Sequence, residues 1–348
     1  MRRLGTTWLA LATAAACGGS VAPASDPAAT PMAEIDAARV LGAPPLCEAS
    51  GAVPAPWDPG LVLVVDNEIS DRLFGFRLGP HGTLVEQEVV ALPGAVRQED
   101  LEALAVVADK IVAVGSHSRS KKCRPQPERQ RMRVLRWDED AGALADFSLV
   151  DGAARWSAHT ASLEACVAGL FTRPLPELCD AVCEALVAAE RAVTRDACVT
   201  PDVEGAVGIP GADGVRLWIG LRRPRVNGRP VLLRLTAGLD ELRFDGVASL
   251  NVGDRGVRAL ALREDQVWAV LGPTPEATDS STLWRAPAAD IVPGALVRGE
   301  IVADGLPPSS EGLVIDPPFV IVLTDGEQPR HGHVRCEESA GQVRVRLR

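Results

Sequence analysis

Charged residues recur in one local pattern along this 348-residue chain, and the pattern places carboxylates at equivalent positions. Each copy has a charged residue, then a small residue, then an apolar run, as in LEALAV at 101–106. The charged positions of the five copies are Glu48, Glu102, Glu204, Arg258 and Glu311. Calcium binds carboxylate and amide oxygens with about six to eight ligands in loose geometry. We therefore take Glu102, Glu204 and Glu311, with Asn67, as candidate ligands of a calcium ion.

The same carboxylates have a second, structural interpretation, which the sequence leaves open. Buried charges are costly unless an opposite charge, a cation or hydrogen-bond donors compensate them. Glutamates at equivalent repeat positions can meet this need by accepting hydrogen bonds from backbone N–H groups of the neighbouring repeat. Arg258 breaks the acidic pattern, and it either replaces a metal ligand or neutralises the group.

A second set of polar residues follows the apolar strand that comes after each copy of the pattern. They would form a ligand-binding rim and are Asn67, Glu68, Ser116, His117, Arg119, Arg222, Arg223, Thr274 and Asp325. His117 is a candidate general base with Asp66 or Glu102 as its carboxylate partner, but a histidine beside serines is also typical of a hydrogen-bonded loop. Arg222 and Arg223 suit a carboxylate or phosphate ligand, or else a solvated turn paired with nearby acids.

Short strands must position all of these residues. Apolar runs of about four to eight residues, separated by Gly, Pro and Asp turns, predict antiparallel β-structure. The runs form five units of about four strands, and this regularity favours a β-propeller over a β-sandwich. We therefore predict an all-β fold, a β-propeller of five or alternatively six four-stranded blades. The charged positions would then lie on the innermost strands, around the central channel.

One segment does not follow the strand pattern. Residues 155–198 are rich in Ala, Leu and Glu, with apolar residues spaced by three and four, which predicts helix. We interpret this segment as a helical insertion between blades two and three. It holds four of the eight cysteines of the chain, and disulfides are expected if the protein enters an oxidising compartment.

The N-terminus predicts such an export. Arg2 and Arg3 precede an apolar run, residues 4–16, that is too short for a permanent membrane span. The run ends at Cys17, as in a bacterial lipoprotein signal whose cysteine carries the lipid, and an ordinary secretory signal is the alternative. The expected location is therefore the cell envelope, either anchored to the outer membrane or in the periplasm.

These features divide the chain into a signal peptide at 1–17, a flexible tether rich in Ala and Pro at 18–44, and a propeller domain at 45–348. The net charge of −10 argues against nucleic acid as a partner, because a phosphate backbone requires clustered Lys and Arg. The expected partners are the membrane, through the lipid anchor, and a small-molecule or protein ligand.

Several motifs, taken in order, resemble a known bacterial family. They are VVDNEISDRLFGF, DLEALAV followed by VGSHSR, VEGAVGI followed by IGLRRPRVNGRPVLLRL, GVRALAL followed by LGPT, and EGLVI. Over roughly residues 46–345 the chain resembles domain-of-unknown-function family 3616. The resemblance implies a propeller-like fold, and it carries over no activity and no catalytic residue. GVRALAL departs from the pattern of the neighbouring copies, which have an acidic residue at the position of Arg258.

Two functions fit these observations. The first is an exported, lipid-anchored propeller that acts as a binding or scaffolding module at the cell envelope, and the absence of a catalytic motif favours it. The alternative is a calcium-dependent propeller hydrolase acting on a small ester, lactone or phosphate ester, which the carboxylates would favour by analogy of fold. Carboxylates engaged by Arg258 or by backbone amides would support the first hypothesis, and a bound cation would support the second.

Overall fold

Five small β-sheets make up the part of the chain that the structure describes. The computed structural model describes residues 33–94, 98–120, 122, 124, 126–151, 201–226, 228–235, 239, 244–273, 280–327 and 336–348. Within these ranges the helical elements are two short 3-10 helices, Pro127–Gln130 and Ala288–Asp290. None of the described helices has the length and apolarity needed to cross a bilayer. The predicted helical insertion at 155–198 lies outside the described residues.

The strands fill the sheets nearly in chain order. The described chain opens with β1 (Ala33–Ile35) and β2 (Arg39–Val40). Blade one contains β3 (Ala49–Ala55), β4 (Asp58–Asp66), β5 (Ile69–Gly79) and β6 (Thr83–Ala91). Blade two contains β7 (Leu101–Val107), β8 (Lys110–Gly115), β9 (Arg131–Asp138) and β10 (Ala143–Asp151). Blade three contains β11 (Asp202–Gly211), β12 (Gly214–Val226), β13 (Arg229–Leu235) and β14 (Phe244–Leu250).

The remaining strands complete the last two blades. Blade four contains β15 (Gly256–Arg263), β16 (Gln266–Gly272) and β17 (Ser281–Pro287). The chain then leaves this blade for β18 (Leu296–Val297), which pairs in parallel with β14, and returns as its outer strand, β19 (Glu300–Leu306). Blade five contains β20 (Ser310–Asp316), β21 (Phe319–Thr324) and β22 (Gly341–Leu347), with β1 and β2 paired to β22.

The innermost strands form a closed ring. They pack against one another in the order β3, β7, β11, β15, β20 and back to β3. The prediction of a five-bladed β-propeller is therefore confirmed, and the described residues contain no sixth sheet. In this fold the beginnings of the innermost strands and the ends of the second strands lie on one face, which we call the central face.

Apolar side chains hold neighbouring blades together in five separate clusters. One buried pair from each interface is Leu63 with Ile111, Val134 with Leu233, Leu232 with Trp284, Val270 with Val320, and Phe74 with Ile321. Each fully buried side chain of this kind contributes about 1.5–3 kcal/mol. Every blade is apolar on both of its faces, and each face packs against a neighbouring blade. Closing the ring therefore leaves no apolar blade face exposed at the interfaces.

The small residue of the repeated pattern has a clear role at the axis. A Cβ atom added to Gly312 would lie 2.4 Å from the carbonyl oxygen of Ser50, and one added to Gly51 would lie 2.6 Å from the backbone nitrogen of Leu104. No side chain fits at these distances. The innermost strands can therefore approach each other closely only where the residue after the charged position is small.

The ring is closed by strands from both ends of the described chain. β1 pairs antiparallel with β22, with Ala33 opposite Leu347 and Ile35 opposite Val345. This pairing corrects one prediction. The tether assigned to residues 18–44 was too long, because β1 and β2 belong to blade five. β22 is therefore the third strand of this blade, and its outer neighbours come from the N-terminal part of the described chain.

A disulfide reinforces the same closure. Cys47, just before β3, is bonded to Cys336, which precedes β22, and the two cysteines are 289 residues apart in sequence. The bond joins blade one to blade five. It also agrees with the expectation that cysteines of this chain pair in an oxidising compartment.

Removing the residues before Pro45 should weaken the ring. Residues Pro31–Arg348 form one compact unit, and Leu41 in this segment is 1% exposed. A chain that begins at Pro45 loses β1, β2 and the burial of Leu41, and we expect its free energy of unfolding to fall by about 3 kcal/mol or more. Urea denaturation of this chain, the full chain and a chain beginning at Pro31 measures the effect. If the Pro45 and Pro31 chains unfold at the same urea concentration, blade five does not depend on its outer strands.

Candidate functional site

Five polar residues meet where the innermost strands begin. They are Ser50, Glu102, Glu204, Arg258 and Glu311, which we call the axial ring, and all of them are buried. Four of the five were predicted from the repeated pattern. The fifth was wrong, because Ser50 rather than Glu48 occupies the position in blade one. The register of the first copy is therefore shifted by two residues relative to the sequence alignment.

Ser50 connects two of the glutamates. Its Oγ atom lies 2.9 Å from Glu102 Oε2 and 3.1 Å from Glu311 Oε2. A hydroxyl carries one hydrogen, so it can donate fully to only one carboxylate. Burial, and then the negative charges of Glu311 and Asp100, hold the pKa of Glu102 well above its usual range. Ser50 is thus the donor that links Glu102 and Glu311, and the raised pKa of Glu102 favours its neutral form.

Arg258 lies between the other two glutamates. Its guanidinium is 3.0 Å from Glu204 Oε2 and also contacts Glu311 Oε1. Arg222 Nη1 is 2.6 Å from Glu204 Oε1. A continuous series of contacts thus runs from Glu102 through Ser50, Glu311 and Arg258 to Glu204, with one residue from each blade.

The charges of the axial ring compensate one another. Burial raises the pKa of Glu204 to about 8, although Arg258 and Arg222 act in the opposite direction. Burial alone would lower the pKa of Arg258, but Glu204 and Glu311 outweigh it, and the net pKa lies above the usual value. Arg258 pairs with Glu204 and Glu311, and Arg222 pairs with Glu204.

This arrangement does not match the predicted calcium site. The fold brings Glu102, Glu204 and Glu311 together as expected, but Arg258 and Ser50 stand between them. Across the described part of the chain, no group of three or more His, Cys, Asp or Glu residues is arranged to hold a metal ion. Asn67, the fourth predicted ligand, lies in the turn after β4, where its backbone N–H donates to the carbonyl of Glu48.

Asp66, the predicted carboxylate partner of a catalytic base, instead accepts hydrogen bonds from the backbone. It is fully buried, and its carboxylate accepts hydrogen bonds from the backbone nitrogens of Cys47, Glu48 and Glu68 at 2.9, 3.0 and 3.1 Å. A carboxylate that holds three N–H groups fixes the start of β3 against the turn after β4.

His117 is buried beneath the central face. Its side chain and that of Ser116 are each 1% exposed, so neither belongs to an open rim as predicted. Burial lowers the pKa of His117 to about 3, which keeps the imidazole neutral at physiological pH. A general base works best with a pKa near the operating pH, so this environment does not support a catalytic His117.

A second polar cluster lies next to the axial ring in blade two. The Asp100 carboxylate contacts Ser116 Oγ and lies 2.9 Å from Arg129 Nη1. Ser118 Oγ is 2.8 Å from Ser116 Oγ. Burial raises the pKa of Asp100, while Ser116 and Arg129 lower it. Neither Asp100 nor Arg129 was among the predicted site residues.

The predicted arginines of blade three are paired within the protein. Arg223 Nη2 is 2.9 Å from Asp202 Oδ2, and Arg222 is held by Glu204. These carboxylates compete directly with an external anion, so the predicted phosphate or carboxylate site is already neutralised. Arg119 is partly buried in the segment after β8, and Thr274 lies outside the described residues.

The acidic side of the rim, over blades five and one, is less well compensated. Asp325 Oδ1 and Asn67 Oδ1 are buried acceptors that have no hydrogen-bond donor among the described residues. Burial, with Glu311 and Glu48 nearby, raises the pKa of Asp325 to about 9. Burial and the charge of Asp100 also raise the pKa of Glu68. This part of the central face therefore presents buried oxygens without matching hydrogen-bond donors.

The residues that the sequence analysis missed do carry a signal. Asp100 precedes Glu102 by two positions, Asp202 precedes Glu204 by two, and Glu48 precedes Ser50 by two. This spacing holds in blades one, two and three, whereas Gly256 and Ser309 stand at the corresponding positions in blades four and five. An alignment on the acid two positions earlier would have placed Ser50 correctly.

Comparisons with known proteins find distant structural likenesses and no matching family. No protein-family model matches the chain, and no curated protein matches it. A protein of Thermus thermophilus, titled a candidate oxidoreductase (glucose dehydrogenase), is 14% identical over 90% of this chain and 100% of its own, with a TM-score of 0.42. The PQQ-bound aldose sugar dehydrogenase of Streptomyces coelicolor is 13% identical over 91% of this chain and 100% of its own, with a TM-score of 0.39. A hypothetical protein of Leishmania major is 12% identical over 89% of this chain and 91% of its own, with a TM-score of 0.41.

Likenesses at this level carry no argument about activity, because one propeller scaffold supports unrelated functions. The described chain is a five-bladed β-propeller whose central face has an axial ring with paired charges and an acidic side. The resemblance to family 3616 stays a prediction.

Replacing Arg258 should expose the dependence of the fold on the axial ring. Arg258→Gln leaves Glu204 and Glu311 buried without their shared cation, and we expect the free energy of unfolding to fall by about 3–5 kcal/mol. Arg285→Gln is the matched control, because Arg285 pairs with Glu300 at the surface, where loss of a pair costs about 0–1 kcal/mol. Chemical denaturation at pH 7 measures both. Equal, small losses in the two variants would show that the ring does not hold the blades together.

Proposed function

We propose that this protein is an exported, lipid-anchored binding module of the cell envelope, whose central face receives a positively charged group of a small-molecule or protein ligand. The observation that carries the proposal is the contrast within the central face. Glu204 and Glu311 of the axial ring are paired with arginines, whereas Asn67 Oδ1 and Asp325 Oδ1 on the acidic side are buried and have neither a donor nor an ion pair among the described residues.

A cationic donor fits this side better than a neutral or anionic group. At pH 7 the raised pKa of Asp325, about 9, means that this carboxyl holds a proton in the free protein. An ammonium or guanidinium group supplies both the hydrogen bonds and the positive charge that would let Asp325 ionise. Burial, and then the charge of Asp100, also raises the pKa of Glu68 on this side.

The same geometry weighs against the calcium-dependent hydrolase. That alternative needs Glu102, Glu204 and Glu311 as metal ligands, and these carboxylates are engaged by Ser50, Arg258 and Arg222. The candidate general base, His117, is buried and neutral. A binding role requires no rearrangement of these residues on the central face.

Export rests on separate observations. The apolar run ending at Cys17 is typical of a lipoprotein signal, and the Cys47–Cys336 disulfide is typical of proteins that fold in oxidising compartments. We infer that the mature protein stands in the cell envelope with its propeller next to the membrane.

Agmatine, which carries a guanidinium and an amine, is a direct probe of the central face. Binding would ionise Asp325 and release its proton, so affinity should rise by up to about tenfold per pH unit between pH 6.5 and pH 8.5, below the pKa of about 9. Isothermal titration calorimetry of the full chain at low salt, in buffers of different ionisation enthalpy, measures affinity and proton release together.

Two variants separate this site from general attraction to an acidic protein. Asp325→Asn should remove the pH dependence and weaken agmatine binding by about tenfold. Asp316→Asn removes the same charge at the opposite end of the innermost strand of blade five and should leave binding unchanged. No measurable heat with the wild type, or an equal loss in both variants, would contradict the proposed cation site.

The lipid anchor has its own test. In a Gram-negative host the full chain should partition into the membrane fraction, and Cys17→Ser should prevent lipid attachment and release the protein or leave it with an uncleaved signal. Membrane fractionation with labelled palmitate incorporation measures both effects. Label incorporation that survives in Cys17→Ser would rule out Cys17 as the lipidated residue without bearing on the central face.

A further inference from the structure

A polar groove lies on the opposite face of the propeller from the axial ring. It is formed where β21 begins at Phe319, where β22 carries Arg344 and Arg346, and where the turn between β5 and β6 places His81. Its volume is about 490 Å³, within the range of small-ligand sites. Arg39 of β2 completes its basic side.

The groove holds more positive charge than its own acids neutralise. The lining acids are Glu34 and Asp36. Asp36 pairs with Arg344, and Glu34 pairs with Arg348 at 2.5 Å. Arg39 and Arg346 make no side-chain ion pair or hydrogen bond with any described residue. The groove therefore carries two exposed guanidiniums without partners, although the net charge of the protein is −10.

The floor of the groove is held in place by packing. Arg344 stacks on the Phe319 ring, with its guanidinium carbon 4.9 Å from the ring centroid, and its Nη1 donates to the carbonyl of His81 at 2.6 Å. Phe319 in turn packs on Gly82, whose φ of 65° leaves no room for a side chain. Arg344 is therefore a fixed part of the wall, whereas Arg39 and Arg346 are available to a ligand.

We propose that this groove binds a phosphate group. A phosphate monoester carries a charge of about −1.5 to −2 and three acceptor oxygens at pH 7, which matches two guanidiniums without partners. Guanidinium groups favour such oxyanions because their parallel N–H donors match the oxygen spacing. The Phe319 ring offers an apolar surface to the carbon part of the ligand.

The phosphate has two possible sources, a soluble phosphate ester or the headgroup of an anionic lipid. Both share the chemistry that the two arginines recognise. The groove is built partly by β1 and β2, which directly follow the segment that leads from Cys17. An experiment must therefore distinguish a soluble phosphate ester from the headgroup of an anionic lipid.

The test is titration of the full chain at low ionic strength with inorganic phosphate, glycerol 1-phosphate and acetate, followed by calorimetry. Arg39→Gln combined with Arg346→Gln removes the two free guanidiniums and should weaken phosphate binding by about tenfold or more. Arg263→Gln combined with Arg298→Gln removes two exposed arginines elsewhere and is the charge-matched control. Co-sedimentation with phosphatidylglycerol and with phosphatidylcholine vesicles forms the lipid arm.

Each result has a definite meaning. Binding of glycerol 1-phosphate that the groove variant loses and the control keeps supports the site with a soluble source. Preference for phosphatidylglycerol vesicles that only the groove variant loses, without binding of the soluble esters, supports the site with a lipid source. The proposal is overturned if neither probe binds the wild type, if groove and control variants lose binding equally, or if acetate binds as tightly as phosphate. Unchanged circular dichroism of both variants confirms that their folds are intact.

Discussion

Burial of charge at the propeller axis is the constraint on which the rest of the structure depends. Five innermost strands begin at one point, and each delivers a polar residue to a place with little water. Five carboxylates there would repel one another, but blade one supplies Ser50 and blade four supplies Arg258. The raised pKa of Glu102 favours its neutral form, and Glu204 and Glu311 pair with Arg258 and Arg222. Such pairing adds little stability over an apolar axis, but it is satisfied only when the blades stand in this order.

That constraint explains features far from the axis. Small residues must follow the ring positions so that the inner strands can approach, as at Gly51 and Gly312. The ring must also close without a gap, because an open interface would expose an apolar blade face and separate the ring partners. The pairing of β1 with β22 and the Cys47–Cys336 disulfide both contribute to this closure, because each joins the N-terminal part of the described chain to its C-terminal part. The contacts of the axial ring and the closure of the propeller therefore both serve to keep the five blades in place.

The fold could be predicted because the propeller repeats a short pattern whose physical cause is local. A charged residue, a small residue and an apolar strand are each visible in the sequence, and five copies define five blades. The pairing of β1 with β22 could not be predicted, because three residues such as Ala33–Ile35 carry no distinctive pattern. The role of the axial ring was also hidden, because the sequence shows Arg258 among acids without showing that its guanidinium reaches both Glu204 and Glu311. His117 and Ser116 were misjudged for a related reason: a polar residue at a strand end can turn inward as readily as outward.

The distribution of the remaining charge points to a protein that meets different partners on different faces. Charges that are paired internally, such as Arg222 and Asp202, contribute little to the field outside the molecule. What remains is a part of the central face around Asp325 and Asn67 that lacks hydrogen-bond donors, and a basic groove around Arg39 and Arg346 on the opposite face. Faces that differ in charge attract different ligands and orient them during approach. If the groove meets a phosphate at the membrane surface, the central face points away from the membrane, where a cationic ligand can reach it.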